Sequence, residues 1–226
     1  MVKYKVFFMT LLILSFGTIL GQGINKVELG LEASPSITSL RGNDVIDKYH
    51  HSKIAYSVGI SLQYNFTRRF SLHANLGYEN KGSKVEAQLT DNLGNPIGIS
   101  KGHTNFEYLI FPILARASFG KEITFFVNVG PYISYLLRQT NTSKVGNSPS
   151  MTLDNTYNDK RFDIGISSGL GISIPLGHKF KFSIEARDNL GFYNISAASV
   201  SNNGSIKTNS FNFLVGLTYK FHNKKK

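Results

Sequence analysis

The sequence predicts an all-β fold, an eight-stranded antiparallel up-and-down transmembrane β-barrel with short periplasmic turns and long extracellular loops. Three observations carry that expectation: a two-residue hydrophobic alternation that recurs along the chain, segments too long for ordinary globular strands, and connections that are short and long by turns. Alternation at period two is the mark of a strand whose two faces meet different surroundings.

In the first segment Val27, Leu29, Leu31, Ala33 and Ile37 oppose Glu28, Gly30, Glu32, Ser34 and Ser36. The second sets Ile54, Tyr56, Val58, Ile60, Leu62 and Tyr64 against Lys53, Ser57, Gly59, Ser61 and Gln63. The third sets Phe70, Leu72, Ala74, Leu76 and Tyr78 against Ser71, His73, Asn75, Gly77 and Glu79. Residues 104–119 alternate less regularly, and Pro112 within them predicts a bulge, because proline donates no ladder hydrogen bond. The fifth pairs Ile123, Phe125, Val127, Val129, Ile133, Tyr135 and Leu137 with Asn128, Gly130, Ser134 and Arg138. The last three are the clearest: Phe162 to Leu176, Phe180 to Ala186 with Lys181, Glu185 and Arg187 opposed, and Phe211 to Phe221.

Most of these segments run 11–16 residues, whereas globular strands run about 5–6. A tilted strand needs about 9–11 residues to cross a bilayer. Tight turns lie around Asn65–Arg69, Gly120–Glu122 and Gly177–Lys179, and long polar connections near 40–52, 82–103, 139–159 and 194–207. One end is therefore trimmed and the other elaborated, the asymmetry of an outer-membrane barrel. The turn cluster Asp91-Asn92-Leu93-Gly94-Asn95-Pro96 predicts a hairpin projecting from the elaborated end.

The polar face favours a membrane barrel over a soluble one. It holds Glu28, Glu32, Lys53, His73, Glu79, Arg116, Arg138, Asp163, Lys181, Glu185 and Arg187, mixed in sign and interleaved with small residues. The interior of an eight-stranded barrel is only wide enough for side chains to fill, so a mixed-charge face with small spacers suits an ion-paired lumen. A soluble lipocalin-like barrel would carry more charge on so large a surface. Aromatics at the trimmed end (Tyr64, Phe66, Phe70, Phe119, Phe125, Phe180, Tyr219, Phe221) suit a membrane interface.

Composition agrees. Only 17% of residues are charged, with 21 Gly, 17 Phe and 11 Tyr, which argues against an intrinsically disordered chain. Zero Cys excludes disulfides, thiolate metal sites and a lipidated N-terminal cysteine. Residues 1–22 have the charged, apolar and small-polar order of a signal peptide, with Lys3 and Lys5 ahead of Val6 to Leu14 and cleavage near Gly21 or Gln22. Residues 23–226 then form the barrel domain, directed to the outer membrane. Loss of Lys3 and Lys5 lowers the net charge from +11 to +9, scattered over turns, lumen and the Lys224-Lys225-Lys226 tail, so no nucleic-acid partner is expected.

Several segments carry a family resemblance. Gly30 to Gly42, reading GLEASPSITSLRG, and Glu107-Tyr108-Leu109-Ile110-Phe111-Pro112-Ile113-Leu114-Ala115-Arg116 resemble strands of the outer membrane protein beta-barrel family common in Bacteroidota, the PorT-like group. Phe211 to Phe221 is similar to that family's last strand, whose terminal aromatic implies recognition by the barrel-insertion machinery; the tail His222 to Lys226 departs from that ending. The resemblance implies location and architecture rather than one activity.

Enzymatic chemistry has thin support, and neither catalysis nor a metal or other cofactor is expected. His73, with Ser71, Ser57 and Glu79, supplies the residue types of a hydrolase, but on the face turned from lipid. His50 and His51, with Asp44 and Asp47, lack further ligands at metal spacing. The sequence thus points to a non-enzymatic barrel in the lipid bilayer, its loops binding a partner or supporting the envelope or a secretion assembly. The alternatives are a small pore, a lipid-modifying enzyme and a soluble periplasmic barrel.

Overall fold

The computed structural model describes residues 27–90, 92–93, 95–145, 149–200 and 204–221. The expected signal peptide and the tail His222–Lys226 lie outside the described residues. In chain order the elements are β1 (Val27–Arg41), a short helix α1 (Asp44–Tyr49), β2 (His50–His51), β3 (Lys53–Asn65), β4 (Phe70–Thr90) and β5 (Pro96–Phe119). There follow β6 (Thr124–Val145), β7 (Met151–Asp154), a single 3₁₀ turn (Thr156–Asn158), β8 (Phe162–Leu176), β9 (Phe180–Gly191) and β10 (Lys207–Lys220).

All ladders are antiparallel. β1 lies between β10 and β3, and the path continues through β4, β5, β6, β8 and β9 back to β10. The sheet curls into a barrel in which each of the long strands pairs with a neighbour on both sides over part of its length. One row of partners runs from Tyr219 through Leu29, Leu62, Ala74 and Ile113, passes Pro131, Ile166 and Leu190, and regains β10 at Asn209. That offset of ten residues between Tyr219 and Asn209 is the stagger of strands tilted about 35–45° to the barrel axis.

The alternation places the apolar face outside. Leu31 is 65% exposed and Ile54 78%, while Glu32 and Lys53 beside them are buried. On β6 the exposed apolar residues reach from Phe125 to Leu137, about 30 Å along the axis at ~3.3 Å per residue and that tilt, enough for an apolar band of about 25 Å. Aromatic pairs mark both margins. Tyr64 with Phe66 and Phe180 with Tyr219 sit by the short turns, and Tyr56 with Tyr78 and Tyr135 with Phe162 toward the opposite end.

Several expectations need correcting. The connection near 82–103 is largely strand: β4 and β5 pair from Gly82 with Asn105 to Gln88 with Ile99, so the projecting hairpin is a continuation of barrel strands 21 and 24 residues long. Likewise β6 runs on to Val145 and β7 returns along it. Within 40–52 lies α1, capped where Asn43 Oδ1 accepts the Ile46 backbone N–H at 2.9 Å. Pro112 makes no bulge: the β4 ladder lapses beside it and resumes in the same register. The register shift lies between Glu107 and Tyr108, where Leu137 is the extra residue on β6.

Candidate functional site

Buried polar side chains cross the lumen in layers. Nearest the short turns, Lys181 Nζ pairs with Glu28 Oε2, and Asn65 Nδ2 donates to Glu28 Oε1 at 3.1 Å. A vestibule of about 700 Å³ opens at this end and reaches inward to Arg116 and Phe126.

The middle layer turns on two arginines from opposite parts of the wall. Arg116 Nη2 lies 3.3 Å from Glu185 Oε2, while its Nε and Nη1 donate to Asn128 and Gln63, each at 2.8 Å. Its guanidinium carbon also stands 4.1 Å from the centre of the Phe126 ring. Arg187 Nε donates to Glu185 Oε1 at 2.6 Å, and Arg187 Nη2 lies 3.5 Å from Glu32 Oε2. Glycines make room for these long groups: a Cβ at Gly169 would sit 2.6 Å from Glu185 Oε1.

The upper layer is built on Lys81, which is 0% exposed. Its ammonium lies 3.1 Å from Asp163 Oδ2 and 3.7 Å from Glu79 Oε2, and 4.5 Å from the centre of the Tyr132 ring. Asp163 also accepts from Thr208 at 2.7 Å and from Tyr132 at 3.2 Å. Glu79 accepts from Ser210 at 2.7 Å and from Asn212 at 3.0 Å. Buried charges persist only when paired and hydrogen-bonded in this way. Between the middle and upper layers lies a cavity of about 20 Å³, room for about one water molecule.

Above Lys81 the lumen turns apolar. Leu40, Phe106, Tyr108 and Leu136 from the strands meet Ile46 from α1 and Ile195 from the segment after β9. The irregular alternation of residues 104–119 is explained here, since Phe106, Tyr108, Ile110 and Leu114 are buried inside while Leu109, Phe111 and Ile113 face outward.

Ten of the eleven polar residues expected to point inward do so. Arg138 does not: it is 54% exposed and pairs with Asp154 at 3.0 Å. The extra residue Leu137 reverses the face on which β6 side chains emerge, so Leu136 is buried and Leu137 and Arg138 face out. Lys81 was within reach of the pattern, because the alternation from Phe70 continues through it to Ser83.

The hydrolase residues are not assembled. His73 Nε2 lies 3.0 Å from Glu32 Oε1 but off hydrogen-bond geometry. Glu79 lies six residues along the same strand, about 20 Å away, bound to Ser210 and Asn212. Ser57 faces Glu79 across the ladder, and Ser71 is buried beside Arg116. His50 Nδ1 contacts Ser83 Oγ at 2.7 Å. Asp44 and Asp47 lie on the first turn of α1. Among the described residues no three such groups converge to hold a metal ion.

A family model described as an outer membrane protein beta-barrel domain matches residues 18–197. Among solved structures, Neisserial surface protein A aligns with 14% identity over 88% of this chain and 100% of its own, with a TM-score of 0.46. Ail, the attachment invasion locus protein of Yersinia pestis, aligns with 9% identity over 87% of this chain and 99% of its own, TM-score 0.42. The N-terminal barrel domain of Pseudomonas aeruginosa OprF aligns with 14% identity over 88% and 100%, TM-score 0.40. No curated protein matches the sequence significantly.

Proposed function

Because the chain belongs to the outer membrane protein beta-barrel domain family, we propose that it is a non-enzymatic, closed, eight-stranded up-and-down barrel of the PorT-like kind common in Bacteroidota. It reaches the outer membrane through a cleaved signal peptide, residues 1–22, and residues 23–226 form the barrel. Its short turns face the periplasm and its long hairpins the exterior. The barrel-insertion machinery reads its last strand, and the loops bind a partner or support the envelope or a secretion assembly.

The observation that carries this reading is the occupied lumen: ion pairs join different strands at Arg116, Arg187 and Lys81, and an apolar cluster lies above them. A pore needs a continuous wet path, which these layers interrupt. A lipid-modifying enzyme needs its base and nucleophile within reach of acyl chains, whereas His73 and Ser71 are turned inward. Membrane fractionation combined with heat-modifiable gel mobility tests the reading: a membrane-bound chain that migrates faster unheated than boiled is expected, and a water-soluble chain of unchanged mobility overturns it.

A further inference from the structure

Above the aromatic pair Tyr56 and Tyr78, β3 and β4 part company. Their ladder ends at Ser57 with Glu79, and β4 next pairs with the two residues of β2. The splay opens a cleft of about 680 Å³ between the top of β3 and the arm made by the upper parts of β4, β5 and β6.

The wall of this cleft is strongly basic. Among the described residues Lys53, Lys84, Lys101, His103 and Lys144 line it, against Glu86 as the single carboxylate. Glu86 is spent on Lys101, 3.6 Å away. Lys84 and Lys144 have no acidic partner among the described residues.

Lys53 supplies the second observation. It is only 9% exposed, and its ammonium donates to the carboxamide oxygens of Asn80 and Asn105, with no carboxylate in ion-pair range among the described residues. A buried cation held by neutral acceptors lacks its counter-charge, and burial without one is costly. The lower lip of the cleft is apolar and open, formed by Ile54 at 78% exposure and Tyr56 at 56%. Cations thus stand directly above a lipid-facing aromatic margin, at the depth where the polar heads of lipids meet their chains.

We propose that this cleft binds a phosphorylated amphiphile of the surrounding leaflet. The phosphate enters the cleft and completes the charge of Lys53 with help from Lys84 and Lys144, and the acyl chains run down over Ile54, Tyr56 and Tyr78. The inference rests on the membrane-embedded reading above, since only an inserted barrel brings this margin to a headgroup layer.

The test uses the full mature chain in zwitterionic detergent micelles, titrated with a short-chain fluorescent phosphatidic acid. The comparison ligands are the matching diacylglycerol and glycerol 3-phosphate, which separate the chains from the phosphate. Saturable binding of phosphatidic acid is expected, weakened about tenfold or more in the Lys84→Ala, Lys144→Ala double variant, with little binding of either comparison ligand. Both lysines are exposed at the protein surface; should the alanine pair fold poorly, the Lys84→Gln, Lys144→Gln pair gives the same comparison. Equal affinity of wild type and variant overturns the site. Glycerol 3-phosphate binding as tightly as phosphatidic acid overturns the amphiphile in favour of a soluble anion. Heat-modifiable mobility, run on the same samples, reads the barrel separately: a wild type that folds yet binds no phosphatidic acid defeats this inference alone.

Discussion

Lys81 shows how much a single side chain contributes to a closed lumen. Its ammonium has no water to fall back on, so Asp163, Glu79 and the Tyr132 ring supply what solvent would. Lys81→Met strands two carboxylates and is expected to cost about 3–5 kcal/mol, read from denaturant unfolding of the folded protein in detergent. Lys101→Ala, which breaks the exposed pair with Glu86, is expected to cost less than about 1 kcal/mol. Similar losses for the two would contradict the buried network. Outside the membrane, burial pushes Asp159 up to about 6, from 3.8. Asp159 forms an isolated bridge with Ser196, next to Lys160 N–H donating to Ile195 O at 2.7 Å. The fold therefore prefers the protonated carboxyl. Its contribution is full below about pH 4 and fades as pH rises toward 6. Hydrogen-exchange protection of the Ile195 amide, corrected for intrinsic rates, should fall across that window. It should lose that dependence in Asp159→Asn; an unaltered dependence in the variant rules out this assignment.

Among the elements, β6 carries the most information per residue. One inserted residue, Leu137, moves Arg138 from lumen to surface and lets it meet Asp154 on β7. Because the chain has no cysteine, single replacements report the reversal cleanly. Arg138→Cys should react with a membrane-impermeant maleimide in the folded protein and Leu136→Cys should not; the opposite order would mean that the register is continuous. The alternation made the facing of β1, β3, β8 and β10 legible, since lipid and a packed polar lumen demand unlike side chains at every second residue. The bulge was hidden because Leu137 carries no glycine or proline signature. Pro112 misled, because a strand can lose two neighbouring rungs without changing register. α1 was hidden because six residues are too few to show a helical period. The apolar cluster was unreadable for a different reason: Phe106, Tyr108 and Leu136 look in sequence like more of the lipid-facing surface.

At the scale of the whole molecule, inside and outside exchange their usual chemistry. The outer surface takes its stability from lipid, and the interior from ion pairs and hydrogen bonds between strands, with a cavity of about 20 Å³ between the Arg187 and Lys81 layers. Arg116 lines the vestibule at the short-turn end, and the apolar cluster of Leu40, Ile46, Phe106, Tyr108, Leu136 and Ile195 lies beyond the upper ion pairs. The proposed function accordingly lies at the surfaces the barrel displays, the hairpin arm and the basic cleft beside it. A lumen crossed by these layers passes no ions, and conductance reads that property without an intermediate step. Purified protein inserted into planar lipid bilayers should leave the membrane without steady conductance, whereas stable stepwise currents would show a continuous water-filled path and contradict it.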